Sequence, residues 1–156
     1  MTKIVIYTDG SSKGNPGPGG YGAILLSGKH RKELSGGYRK TTNNRMELLA
    51  VIVALEQIKV PDADVLVFSD SKYVVDAVEK GWVFAWEKKG FAKKKNIDLW
   101  KRFLKIYRKY KVRFEWVKGH DGNEFNERCD TLAVKAAEGE NLAIDKGYEV
   151  ENGLFT

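Results

Sequence analysis

Apolar positions along the chain change their period several times, and each change marks an element. Lys3 to Thr8 is a β-branched stretch that predicts a short strand, closed by the turn signal Asp9-Gly10. Ser11 to Gly20 is dense in Gly, Pro, Ser and Asn, residues that break regular structure, and reads as a loop. Tyr21 to Leu26 and Arg31 to Tyr38 then form a hairpin around Ser27-Gly28-Lys29. Asn44 to Ile58 carries the strongest helical pattern, with Asn44 as N-cap and Glu47 three residues on, the spacing of a capping box. From Leu48 to Leu55 that helix is apolar nearly all round, which predicts burial on more than one side. Asp64 to Phe68 is a fourth strand with a continuous apolar run, as in strands covered on both faces. Asp70 or Ser71 caps a helix that runs to about Lys80. Trp82 to Lys95 reads as a short helix plus loop, Ile97 to Tyr110 as a helix, and Val112 to Val117 as a fifth strand. Gly119 to Asn123 is a loop, Glu124 to Glu138 the last helix, and residues 139–156 an irregular tail.

Three strands, a helix, a strand, helices, a strand and a helix predict one α/β domain over residues 1–156. Its sheet is mixed and five-stranded: a three-stranded antiparallel meander, then two strands parallel to the first, flanked by helices. In such sheets, sites form beyond the carboxyl ends of the central strands.

Composition narrows the class. The longest apolar run, Leu48 to Leu55, is too short to cross a bilayer, and Met1 to Tyr7 lacks a secretory pattern. The single cysteine, Cys129, excludes an internal disulfide and a cysteine-based zinc site. A cytoplasmic, monomeric protein without membrane partners is the expectation. Net charge is unevenly spread: residues 1–71, 72–118 and 119–156 sum to +2, +10 and −6. A middle segment this basic is the electrostatic footprint of a polyanion binder.

The strand rule draws attention to the acids. Asp9 lies just past strand one and Asp70 just past strand four, so parallel neighbours would bring both to one edge. Glu47 opens the buried helix, and Asp130 sits in the first half of the last one. Each has a plainer reading: Asp9 in a turn, Glu47 closing a capping box, Asp70 as N-cap, Asp130 on a solvated face. Together they make one physical proposition. Two carboxylates about 4 Å apart repel by about 4 kcal/mol at an effective dielectric near 20. A cluster therefore takes up protons, or destabilises the fold, unless cations occupy it. Hard oxygen ligands suit Mg²⁺ or Mn²⁺, and two such ions roughly 3.5–4 Å apart serve phosphodiester hydrolysis.

The strings Thr8 to Ala23 (TDGSSKGNPGPGGYGA), Thr41 to Ala50 (TTNNRMELLA), Ser69 to Val74 (SDSKYV), Trp116 to His120 (WVKGH) and Asn126 to Asp130 (NERCD) closely resemble bacterial type 1 ribonuclease H. The resemblance runs in order over about residues 1–150. It implies a ribonuclease H-like fold and an endonuclease that cuts the RNA strand of RNA–DNA hybrids, leaving 5′-phosphate and 3′-hydroxyl ends. It further implies that Asp9, Glu47, Asp70 and Asp130 are the metal-binding, catalytic carboxylates, with two Mg²⁺ ions in the substrate complex and Mn²⁺ as a substitute. His120 then has an accessory role in proton transfer or product release, for which an imidazole pKa near 6.5 is suited.

For the hybrid itself, the resemblance places Asn15, Asn43 and Asn44 at the minor groove, where 2′-hydroxyls are displayed. It sets Thr42 and Arg45 beside a DNA-strand phosphate. The segment Trp82 to Lys95 resembles the basic protrusion of some members, shortened here, in which Trp82, Trp86, Lys88, Lys89, Lys93, Lys94 and Lys95 meet the duplex. Such lysines supply salt-sensitive, sequence-independent affinity. Two contact positions depart from the pattern: Lys72 stands where glutamine is common, and Ser12 where cysteine is common. Two other readings were weighed. A non-catalytic hybrid-binding module predicts the loss of a carboxylate, and none is missing. A domain of a reverse transcriptase fits less well than a free-standing protein, given the few residues ahead of strand one.

Overall fold

In the computed structural model, which describes residues 2–119 and 122–153, five strands form one sheet. They are β1 (Lys3–Ser12), β2 (Gly17–Ser27), β3 (His30–Thr41), β4 (Asp64–Ser69) and β5 (Lys111–Trp116), in the spatial order β3-β2-β1-β4-β5. The β1–β2 and β2–β3 pairs are antiparallel; β1–β4 and β4–β5 are parallel. This is the sheet the order of elements predicts. The helices are α1 (Asn43–Glu56), α2 (Lys72–Glu79), α3 (Trp82–Lys88), α4 (Ile97–Tyr107), α5 (Glu124–Ala137) and α6 (Lys146–Glu151). Among the described residues, no helix is long and apolar enough to cross a membrane.

Successive strand residues point to opposite faces, and β1 uses both. Ile4 and Ile6 join the apolar core with Leu48, Ile52 and Leu55 of α1. Tyr7, the next residue after Ile6, stacks on Phe125 of α5 with ring centroids 5.0 Å apart. Helix α1 is buried along nearly its whole length, from Arg45 through Ile52 and at Ala54 and Leu55. Its all-round apolar pattern reflects contacts with the sheet on one side and α4 on another.

Three expectations are corrected. The glycine-rich stretch is mostly strand: β1 and β2 stay paired out to Ser12 and Gly19. Gly14 sits in the short connection with φ +79°, whereas Gly20 serves packing. A Cβ at Gly20 would lie 2.3 Å from the Ala133 carbonyl oxygen, so α5 rests directly on the β2 backbone.

Helix α1 is capped by Thr42, whose extended backbone lets its hydroxyl accept the Arg45 N–H at 3.3 Å. Glu47 is thereby two residues too far along to close a capping box. Ser71, not Asp70, caps α2, accepting the Val74 N–H at 3.2 Å. Both acids are released from the roles that local sequence offers them.

The tail is not irregular throughout. Ala143 bridges to Tyr38 beside β3, and Asp145 caps α6 by accepting the Tyr148 N–H at 3.2 Å. Long-range ion pairs fix this segment: buried Glu149 with Arg39, and Asp145 with Arg45.

Candidate functional site

Parallel pairing of β1 with β4 puts Thr8 opposite Ser69, so the next residues, Asp9 and Asp70, emerge side by side where the sheet order reverses direction. Glu47 joins them because β1 passes unusually close to α1. A Cβ at Gly10 would lie 2.3 Å from the Glu47 backbone nitrogen, an approach only glycine permits. Asp9, Glu47 and Asp70 each offer a carboxylate oxygen, and these oxygens lie within 4.8 Å of one another.

The trio is electrostatically costly. Asp9 is 7% exposed and Glu47 5%. Burial, followed by the charges of Asp70 and Asp130, pushes Asp9 up to about 8, against a partial offset from the Gly10 N–H at 2.9 Å. Burial, then Asp9 and Asp70, holds Glu47 well above the usual carboxylate range. Among the described residues, no arginine or lysine is among the largest influences on either. Glu47 Oε2 is buried without a hydrogen-bond partner. Hard oxygens, like charge and an orphaned acceptor fit a divalent cation, which would satisfy all three at once.

Asp130 stands outside this tight group. It is half-buried on α5 and faces the trio across a cleft of about 10 Å³ that Thr8, Asp9, Asp70, Asn126 and Glu127 also line. His120 lies outside the described residues. The loop that leads to it starts at the site: a Cβ at Gly119 would lie 2.8 Å from Asp70 Oδ2.

A second region lies around the N-terminus of α1. Asn15 Oδ1 accepts the Asn43 N–H at 3.1 Å, tying the β1–β2 tip to the helix. Asn44 and Lys95 line two adjoining cavities, of about 310 and 410 Å³. Asn15 and Thr42 line the first; Trp82, Trp86, Lys93 and Lys94 line the second. The structure thus gathers most of the expected contact residues along one surface. The two tryptophans differ in kind. Trp82 is 45% exposed beneath the Lys80 ammonium, whereas Trp86 packs edge-on against buried Trp100 and carries Lys94 over its ring. Lys88 and Lys89 are exposed at the end of α3. Ser12 is half-buried at the end of β1, and Lys72 lies 4.7 Å from the Trp116 ring centroid.

Arg45 does not fit a phosphate-binding role. It is 1% exposed, and all five of its N–H donors are engaged. Nε and Nη2 donate to Asp145, Nη1 and Nη2 to Asp98, and Nη1 to Asn96 Oδ1, at 2.7–3.3 Å. The expectation is corrected because two carboxylates remote in sequence have claimed the guanidinium.

Sequence reasoning passed over Asn126, although it stands one helical turn before Asp130 and so on the same face of α5. That spacing was the available signal. Cys129, nearby, is inert: fully buried, its Sγ contacts the Tyr7 carbonyl at 3.3 Å, and burial pushes its thiol far above the ordinary range. A thiol reagent at pH 8 is expected to leave it unlabelled in the folded protein and to titrate one thiol in denaturant. Rapid labelling without denaturant would contradict this burial.

A mixed sheet with a carboxylate trio at its switch point, beside a basic and aromatic surface, defines a candidate metal-dependent enzyme acting on a polyanion. The chain belongs to the ribonuclease H family: a family model described as RNase H matches residues 1–138. It is 56% identical over 153 residues to the ribonuclease H of Trichodesmium erythraeum, covering 95% of this chain and 97% of that one. To the ribonuclease HI of Synechocystis sp. it is 48% identical, covering 93% and 94%. Among solved structures, LC9-RNase H1, a type 1 RNase H with the type 2 active-site motif, superposes with a TM-score of 0.81 at 31% identity, over 98% of this chain and 82% of that one. LC11-RNase H1 in complex with RNA/DNA hybrid gives 0.65 at 31% identity, over 86% and 96%.

Proposed function

We propose that this ribonuclease H hydrolyses the RNA strand of RNA–DNA hybrids with Asp9, Glu47, Asp70 and Asp130 holding two Mg²⁺ ions, for which Mn²⁺ can substitute. The observation that carries the assignment is the trio, two members buried and Asp70 half-buried, with oxygens within 4.8 Å and, among the described residues, no basic side chain among the largest influences on Asp9 or Glu47. Divalent ions bound there would supply a more acidic water and stabilise charge on the leaving oxygen. In the hydrolysis, a bond forms from water oxygen to phosphorus and the bond from phosphorus to the 3′-oxygen breaks, which leaves 3′-hydroxyl and 5′-phosphate ends.

The chain's own residues prepare that step. Asp9 and Glu47 give up their protons when cations take the site. Gly10 holds one Asp9 oxygen in place through its N–H. Asn15, Asn43 and Asn44 offer polar groups to a minor groove, the contact by which RNA is told from DNA, and Thr42 stands beside a DNA-strand phosphate. Lys93, Lys94 and Lys95 attract the duplex through its phosphates. His120 serves as an accessory proton carrier, since the attacking water needs no protein base of its own. The LC11 relative bound to a hybrid supports the same substrate for this chain.

The test is cleavage of an end-labelled hybrid, a DNA duplex and an RNA duplex, each with Mg²⁺ and with chelator. The RNA strand of the hybrid alone is expected to be cut, and only with Mg²⁺. Cleavage in chelator, or equal cutting of the DNA duplex, would overturn the reading.

A further inference from the structure

The mechanism above leaves one buried polar group unused. Asn126 is 9% exposed, and its Oδ1 and Nδ2 are both buried without a hydrogen-bond partner. Native structures hold few such groups, because an unpaired buried carboxamide weakens the fold. Asn126 does not act as a helix cap. Asn123 Oδ1 caps α5 instead, accepting the N–H groups of Phe125 and Asn126 at 2.9 and 3.1 Å.

Its location gives the orphaned amide a use. Asn126 lines the cleft between the carboxylates, and on its other side an open cavity of about 370 Å³ bordered by Lys118 and Asn123. The cleft itself, about 10 Å³, is close to the size of one water or one oxygen atom. Ionised carboxylates only accept hydrogen bonds, so Asp9, Asp70, Glu127 and Asp130 have nothing to donate to an oxygen seated there. Thr8 Oγ1 already donates to the Phe68 carbonyl at 3.3 Å. Among the described residues lining the cleft, Asn126 Nδ2 is the donor left over. A lysine in its place would ion-pair with the carboxylates and compete with a cation; a neutral amide does not.

We propose that Asn126 is a further catalytic residue whose Nδ2–H donates to an oxygen held in the acidic cleft, either a non-bridging oxygen of the phosphodiester being cut or the water that attacks it. The inference rests on the function proposed above. A preorganised donor aimed at a reacting oxygen is among the stronger single contributions to rate. The same assignment explains why the amide is unpaired without substrate: its partner arrives with the reaction.

The test uses the full chain as wild type, Asn126→Ala and Asn126→Asp. Three quantities are read: melting temperature in metal-free buffer, hybrid binding in chelator at low salt, and kcat and KM with Mg²⁺. Asn126→Ala is expected to melt at or above the wild-type temperature while kcat falls about 10²-fold. Asn126→Asp keeps the shape, loses the donor and adds charge, so its activity should fall further still. A raised KM with weaker hybrid binding in Asn126→Ala would assign the phosphodiester oxygen; a fall confined to kcat would assign the water.

Wild-type turnover by Asn126→Ala overturns the proposal. So does a melting temperature that drops with activity in Asn126→Ala while Asn126→Asp retains both, since that pattern marks a packing role. A wild-type protein that leaves the hybrid intact would instead overturn the proposed function, which keeps the two failures distinct.

Discussion

Asp9→Asn is expected to lower hybrid cleavage at least about 10³-fold, several kcal/mol of transition-state stabilisation, and yet to raise the melting temperature of the metal-free protein. The opposite signs share one cause. Asp9 sits buried among like charges, so its carboxylate is useful to a cation and harmful without one. Its folded pKa, about 8, lies above the unfolded value near 3.8. Below about pH 4 both states hold the proton, and the group costs nothing. Between pH 4 and 8 the folded state keeps a proton that the unfolded state loses, so stability falls as pH rises, by up to about 1.4 kcal/mol per pH unit. Above pH 8 the whole cost is present.

Asparagine keeps an oxygen to accept the Gly10 N–H and has no charge at any of these pH values. The variant's advantage should therefore vanish near pH 4 and grow to several kcal/mol at pH 8. Saturating Mg²⁺ should reverse the ranking, because a ligand that binds only the folded state stabilises it by mass action and the variant has lost a ligand oxygen. Melting curves at pH 4, 6 and 8, with and without Mg²⁺, decide the matter. An apo advantage that does not change with pH would refute the burial and repulsion argument.

The sheet was legible from the chain because its pattern is local. Apolar runs separated by turn signals mark the five strands, and the strand-end rule alone brings Asp9 and Asp70 to one edge. Local rules failed where glycine, capping or charge answered to distant partners. Gly20 reads as a loop former, yet it clears space for α5, more than a hundred residues further on. Asn44 has a capping side chain at capping-box spacing from Glu47, yet the backbone of Thr42, extended at φ −123°, starts the helix two residues earlier. In the sequence Asn126 offers only its spacing from Asp130. Its interest comes from lacking a partner, which only a three-dimensional neighbourhood can reveal.

Arg45 is the case in which resemblance and packing disagree most, and its replacement is expected to give the largest loss of stability. Asp145 is 6% exposed and receives two of the guanidinium bonds, from Nε and Nη2. The same carboxylate accepts the Thr41 hydroxyl at 2.7 Å and caps α6, so Arg45 joins α1 to the C-terminal segment. Its bonds to Asp98 and Asn96 join α1 to the start of α4. Removing one partner of a buried ion pair leaves the other charge uncompensated, which costs about 3–5 kcal/mol. Arg45→Met should lose that much in urea unfolding. Arg45→Lys should recover only a minor part, because an ammonium has three donors and cannot form the two-oxygen forks. Adding Asp145→Leu to Arg45→Met should restore some stability by removing the stranded charge.

The same variants separate this structural role from a phosphate contact. A residue that neutralises a phosphate changes the slope of log affinity against log salt by about one. Arg45→Met, studied well below its melting temperature, should bind the hybrid with the wild-type slope. A slope reduced by about one together with an unchanged unfolding free energy would return Arg45 to the substrate and refute the buried network as its purpose.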